Sequence, residues 1–224
     1  HWTTPAGVPA AGLNAWGLLG AQRVEIRLGR LYPERRALLA EYRWRIAGSS
    51  LAAGGAQVVV WDQQHDAASP YRQESLDITD AAAVMQAAQR LLGDTGRIDF
   101  LINNAGYAGP TVPLDEYDVG EWHRIVQVNL LGVFHVCRSV TPAMRAAGRG
   151  RIVNIASLAG QNGGTATGAH YAAAKGAVLT LTKVFARELA GAGVTVNAIS
   201  PGPLDLPIVR EIVPADKLAA TIAT

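Results

Sequence analysis

A phenol and a primary ammonium stand four residues apart at Tyr171 and Lys175, and Ser157 lies fourteen residues upstream of the phenol. The stretch Tyr171-Ala172-Ala173-Ala174-Lys175 reads as helix, where positions i and i+4 share a face. A phenol ionises near pH ~10 in isolation, too high for a base at neutral pH, and a close positive charge lowers that value. Such a pair can pass a proton to or from an alcohol or a carbonyl. Tyr-x-x-x-Lys also arises on ordinary solvated helix faces, so its meaning depends on what surrounds it.

Its surroundings alternate between strand and helix from Leu51 onward. Residues 57–61 (QVVVW) read as a buried strand, continuous and β-branched. Residues 79–92 form an Ala-rich amphipathic helix that Thr79 is placed to cap. Strands are expected at 99–102, 151–156 and 194–199, and helices at 118–147 and 169–190. Residues 158–168 (LAGQNGGTATG) read as a flexible loop. The alternation implies an α/β fold: one doubly wound parallel sheet of Rossmann type, covered by helices on both faces as an α/β/α sandwich. Ligands of such sheets bind outside the carboxyl ends of the strands. Asp62, Asn103-Asn104, Ser157 and Pro201-Gly202 each follow a strand and should line one edge.

Composition narrows the classes. With 224 residues the chain suits one α/β domain, and its 49% apolar and 17% charged residues suit a well-buried core. A net charge of +2 without a Lys/Arg block gives no case for nucleic acid. No run approaches the ~18 apolar residues of a membrane span, and the first twenty residues do not read as a signal peptide. The single Cys137 lies in an apolar run, suits a reducing cytoplasm, and reads as core packing. None of the five histidines has metal-ligand spacing, so no metal is expected. His170 adjoins the tyrosine, but neighbouring helix residues point apart, and it is assigned no catalytic role.

Taken in order, the markers resemble the short-chain dehydrogenase/reductase family, near its 3-oxoacyl-carrier-protein reductases. They are Asp77-Ile78-Thr79, Asn103-Asn104-Ala105-Gly106, Asn129, Ser157, Tyr171 with Lys175, and Pro201-Gly202. The likeness runs from about Leu51 to Asp205. It implies NAD(P)-dependent interconversion of a secondary alcohol and a ketone, with a small alcohol, ketone or acyl thioester as substrate. Tyr171 is implied as general acid/base, Lys175 as the residue that lowers its pKa and holds the nicotinamide ribose, and Ser157 as the substrate-oxygen donor. Asn129 is implied to anchor a water that links the lysine to solvent. Asn104, Ala105 and Gly106 are implied to pass beside the adenosine half of the cofactor, Asp77 and Ile78 to contact adenine, and Pro201-Gly202 to back the nicotinamide. Singly, Asn129 also reads as a helix kink, Ser157 as a strand-end cap and Asp77 as a helix cap. The likeness further implies a homo-oligomer, a dimer or tetramer joined through helices 118–147 and 169–190.

Asp62 ends its strand where a carboxylate can accept both hydroxyls of an adenosine ribose and repel a 2′-phosphate. NAD(H) is therefore expected over NADP(H), a solvated turn aspartate being the alternative.

Two stretches depart from the pattern. The family's T-G-x-x-x-G-x-G turn, counted back ~20 residues from Asp62, should fall at about residues 36–48, and no spacing of Gly7, Gly12, Gly17, Gly20, Gly29 and Gly48 supplies it. Residues 1–47 hold three of the five tryptophans and no lysine, show no clearly alternating strand, and are expected to be irregular or disordered to about residue 45. They read as an atypical segment, either an out-of-frame translation or a replaced element, ahead of a catalytic domain at 48–224. Near the other end, Leu206 stands where the family commonly has a carboxamide-holding Thr. The stop at Thr224 and the start at His1 suggest a piece of a longer product. A catalytically silent protein that keeps the fold without binding dinucleotide is the alternative function. If translation has slipped, the gene's other two frames upstream of Gly48 contain the glycine turn; its absence from both rejects the frame error.

Overall fold

The computed structural model describes residues 23–29 (backbone only), 51–52, 54–164 and 167–202. Six strands form one sheet: β1 (Arg23–Gly29), β2 (Ala56–Asp62), β3 (Arg72–Ser75), β4 (Phe100–Asn103), β5 (Gly150–Ile155) and β6 (Val194–Ile199). Their spatial order is β3-β2-β1-β4-β5-β6, with every pairing parallel. The order reverses between β1 and β4, the crevice where sheets of this kind receive ligands.

The strands expected near 57–61, 99–102, 151–156 and 194–199 are present, displaced by a residue at most. Two others were not expected. Arg23–Gly29 pairs with β2 along its whole length, from Arg23 opposite Ala56 to Gly29 opposite Asp62, and meets β4 at Arg27 opposite Ile102. This corrects the expectation that residues up to about 45 are irregular: R-V-E-I-R-L does alternate, and it occupies the middle of the sheet. β1 ends at Gly29, opposite Asp62, while the turn expected at 36–48 lies outside the described residues. The residues between Gly29 and Leu51 lie outside the described ones, as do Leu206 and everything beyond Gly202. Edge strand β3 escapes sequence reading because its RQES is polar; Arg72 pairs with Glu74 at 2.6 Å and with Asp94 at 2.7 Å.

Strand parity divides the core. Val59, Trp61, Leu101, Ile152 and Val196 face the helices α1 (Ala81–Thr95), α3 (Gly132–Ala146) and α5 (Ala169–Leu189), through Val84, Leu91, Val136, Val140, Met144 and Val178. Val58, Val60, Ile102 and Val153 gather with Leu51 on the other face. Burial on both faces is why β2 reads as an unbroken apolar run. Helix α1 starts two residues later than expected and is capped by Asp80, not Thr79. The Asp80 carboxylate accepts from the Ala82 and Ala83 amides, while Thr79 donates to Asp77. Gly96 closes the helix at φ 70°, a conformation that strains any side chain with a Cβ.

Cys137 is core, as its apolar neighbours imply. Burial pushes its thiol up to about 12, against the opposing pull of the amide that Asn103 Nδ2 donates to Sγ at 3.2 Å. The native chain should therefore resist thiol reagents at pH 8 and react only on unfolding. Rapid labelling of the folded chain would remove Cys137 from the core.

Candidate active site

Parallel registers bring the expected polar residues to one edge. Gly29, Asp62 and Ser75 end β1, β2 and β3 in line, Asn103 lies opposite Asn154, and Ile155 lies opposite Ile199. Asp62 and the end of β5 are three strand spacings apart, about 14 Å, so one extended ligand can lie across the β1–β4 reversal. Pro201 joins this edge by accepting from the Leu158 amide at 2.9 Å, which ties residues 201–202 to the turn after Ser157.

Helix α5 presents Tyr171 and Lys175 to the same edge. Lys175 is only 2% exposed, and its Nζ donates to the Ile155 carbonyl at 2.7 Å, two residues before Ser157. Nζ lies 5.8 Å from the centre of the Tyr171 ring. That ring is half-buried against Tyr107, Ile125, Val128 and Ala174. Desolvating an ammonium costs several kcal/mol unless polar groups surround it, so its burial signals a built environment rather than a solvated helix face.

Asn129 is part of that environment. The single helix expected over 118–147 is instead α2 (Val119–Val126), a π-helical turn (Gln127–Leu131) centred on Asn129, and α3. In the π turn the Gly132 amide reaches back five residues to Gln127 O, and Asn129 Nδ2 donates to Ile125 O at 3.0 Å. The same Nδ2 donates to Tyr107 O at 2.7 Å, and Oδ1 accepts from the Tyr107 amide at 3.2 Å. Gly106 fits between: a Cβ there would lie 3.2 Å from Asn129 Oδ1 and 3.5 Å from Lys175 Nζ. The loop after β4 thus passes closely over both residues because Gly106 has no side chain.

Asn104 and Ala105 precede it in that loop, Ala105 buried. On the far side of the edge the two adenine candidates face different ways. Asp77 turns its carboxylate back to the amide and hydroxyl of Thr79, at 2.9 and 2.7 Å, and Ile78 gives its side chain to the core. Asp62 is half-buried, with Oδ1 3.3 Å from the Gln64 amide. A group of three or more His, Cys, Asp or Glu side chains able to hold a metal does not occur among the described residues.

Part of the stretch expected to be a flexible loop is a short helix, α4 (Ala159–Asn162), seated on α5. Two glycines make the seat: a Cβ on Gly160 would lie 2.6 Å from both the Gly176 nitrogen and the Lys175 carbonyl carbon. Ser157 Oγ accepts from the Ala159 amide at 3.2 Å, just ahead of this helix. A buried chain also anchors α5 to the strands. Asn103 Nδ2 donates to Asn154 Oδ1 at 2.8 Å, Asn154 Nδ2 to Thr182 Oγ1 at 2.9 Å, and Thr182 Oγ1 to Val178 O at 2.7 Å.

A family model for short chain dehydrogenases matches residues 40–217. The chain belongs to the short-chain dehydrogenase family. It is an oxidoreductase of CH–OH groups, from a family whose dehydrogenases use a nicotinamide dinucleotide. This dehydrogenase is 39% identical over 175 residues to the NAD(+)-dependent 2-dehydro-3-deoxy-L-rhamnonate dehydrogenase of Sphingomonas sp. (strain SKA58), across 75% of this chain and 70% of the relative. It is 36% identical to the 3-oxoacyl-acyl-carrier-protein reductase FabG of Thermotoga maritima, across 61% of this chain and 55% of that one. Among solved structures, NAD+-bound xylitol dehydrogenase superposes with a TM-score of 0.67 at 32% identity, covering 81% of this chain and 72% of that one.

Sequence reading missed Gly160, Gly176, Tyr117 and Glu121 around this site. A single glycine on each helix carries no signal until the partner helix is known. Gly160→Ala forces a methyl into backbone atoms that cannot rotate away and should destabilise the dehydrogenase by about 1–3 kcal/mol. Urea denaturation measures this, and an unchanged midpoint would mean that α4 does not rest on α5.

Proposed function

We propose that this dehydrogenase interconverts a secondary alcohol and a ketone, with Tyr171 as the general acid/base. The observation that carries the reading is the buried Lys175 ammonium, 5.8 Å from the Tyr171 ring and bonded to Ile155 O beside Ser157. Lys175 favours the ionised phenol by its charge. In the oxidising direction Tyr171 takes the hydroxyl proton; in the reducing direction it returns one to the carbonyl oxygen. Ser157 Oγ donates to the same oxygen and fixes its position. Both Nδ2 hydrogens of Asn129 are engaged, so a water serving Lys175 would rest on the second lone pair of Oδ1.

The nicotinamide dinucleotide, when bound, supplies or accepts the hydride. Half-buried Asp62 at the end of β2, one strand from the β1–β4 reversal, fits a dinucleotide lying across that crevice. Lys175 and Tyr171 would hold its nicotinamide ribose, Pro201-Gly202 its nicotinamide, Asn104 to Gly106 its adenosine half, and Asp77 and Ile78 its adenine. Asp62 would accept the adenosine ribose hydroxyls, which favours NAD(H) over NADP(H). As substrate, a 3-oxoacyl thioester is one class that the sequence's likeness suggests. A polyol or sugar acid is the competing class, since relatives at similar identity are named for these. Exposed Phe134 on α3 and Val184 on α5 suit a homo-oligomeric contact through those helices.

The silent alternative has its own support. After Gly29 the sequence continues Arg30-Leu31-Tyr32-Pro33, without the glycines that let backbone amides reach a diphosphate. A fluorescence titration with NADH and NADPH separates the two readings. Saturable NADH binding, tighter than NADPH, supports the enzyme, and Asp62→Ala should then reduce that preference about tenfold or more. Tyr171→Phe should lower kcat by about 10²–10⁴-fold while weakening cofactor binding far less, since Lys175 would still hold the ribose. Binding of neither cofactor would favour the silent reading.

A further inference from the structure

We propose that Tyr117 and His170 clamp the first turn of α5, and that His170 is thereby a positioning residue for Tyr171. The role rests on the reading of Tyr171 as the acid/base. A helix leaves its first amides without internal partners, and here the preceding residue, Gly168, brings no side chain to cap them. Two aromatic side chains fill the gap. Tyr117 Oη accepts from the Ala169 amide at 2.8 Å, and His170 Nδ1 accepts from the Tyr171 amide at 2.8 Å.

The clamp is packed as well as bonded. The His170 ring is fully buried and lies edge-on to Tyr117 at 4.9 Å and tilted against Trp122 at 5.7 Å, while Tyr117 meets Trp122 edge-on at 5.5 Å. Tyr117 and Trp122 flank Asp118, which caps α2 through the Glu121 amide at 2.7 Å, so α2 and α5 start at one shared cluster. Gly168 makes room for it: a Cβ there would collide with the His170 ring and lie 2.9 Å from Pro110 O. Consecutive helix side chains do point apart, yet at this helix start the ring folds back to its neighbour's amide.

The bond requires a neutral ring. An amide donating to Nδ1 leaves the proton on Nε2, and an imidazolium, protonated at both nitrogens, cannot accept. The groups facing the ring are the Glu121 carboxylate, the Tyr117 hydroxyl, the Gly168 carbonyl and the Gly109 backbone; Arg124 stands behind Glu121, its Nη1 4.0 Å from Oε2. A Cβ on Gly109 would lie 2.9 Å from both Glu121 Oε1 and His170 Nε2, and neither atom has a hydrogen-bond partner. Burial lowers the His170 pKa by more than Glu121 and the Gly168 carbonyl raise it. The unfolded chain therefore takes this proton first, near pH ~6.5. Stability from the clamp is complete above that pH and is lost as pH falls from there through the lower folded-state value.

The test uses the full chain and needs no bound cofactor. Long-range ¹H–¹⁵N correlation should show His170 as the Nε2–H tautomer at pH 7, titrating below pH ~6.5. Tyr171 amide exchange should be about tenfold faster in His170→Phe than in wild type or His170→Asn, whose amide oxygen replaces Nδ1. Ala169 should respond in the same way to Tyr117→Phe. The phenol titration of Tyr171, followed at Cζ, should shift in His170→Phe and recover in His170→Asn, which simple loss of packing would not produce. An Nδ1–H tautomer in wild type, or equal Tyr171 exchange in all three proteins, would overturn the clamp. An active Tyr171→Phe variant with the His170 tautomer unchanged would instead reject the catalytic reading of Tyr171.

Discussion

A buried ammonium keeps its proton only where polar atoms replace water, and Lys175 sets that requirement at this edge of the sheet. Its bond to Ile155 O joins α5 to the last residue of β5, which holds the helix turn that carries Tyr171 and Lys175 at that strand end. At Gly106 a Cβ would press on Asn129 Oδ1 at 3.2 Å, with Lys175 Nζ in ordinary contact beyond it at 3.5 Å. Gly160 and Gly176 are bare because α4 must rest on the helix turn that carries Lys175. Each of these small residues follows from the space the lysine and its neighbours take.

Polar groups inside the fold act as locators. The chain from Asn103 through Asn154 to Thr182 crosses two strands and a helix without reaching solvent, which holds α5 in register with the strand ends. Hydrogen bonds in a low-dielectric interior are strong when made and expensive when missing, so such a chain admits few alternative alignments. The π turn at Asn129 works similarly: one amide side chain satisfies both a helix carbonyl and the loop after β4. Together with the aromatic cluster at residues 117, 122 and 170, these contacts hold α5 at its start, its middle and its lysine.

Much of the architecture was legible because both-face burial produces continuous apolar strands and one-face burial produces periodic helices. Residues 57–61, 151–156 and 194–199 carried that signal, and so did the helix at 169–190. Strand β3 did not, since an edge strand faces water and can be polar. Strand β1 was passed over although Val24, Ile26 and Leu28 alternate, because the arginine-rich stretch around it obscures the pattern. The helix over 118–147 concealed its π turn, since a one-residue change in hydrogen-bond register leaves side-chain periodicity nearly intact.

By itself the sequence determined the fold class, the strand-end placement of Asp62, Asn103, Ser157 and Pro201, and the Tyr171–Lys175 pair. Those depend on periodicity and short spacings, which are local. Only the tertiary structure decided that Lys175 is buried on Ile155 O, that Asn129 bridges a π turn to Tyr107, and that His170 folds back to its neighbour's amide. These contacts either join residues 20 or more positions apart in the chain or depend on how a side chain packs against a distant element. Their energies come from burial and hydrogen-bond satisfaction, which no local spacing encodes.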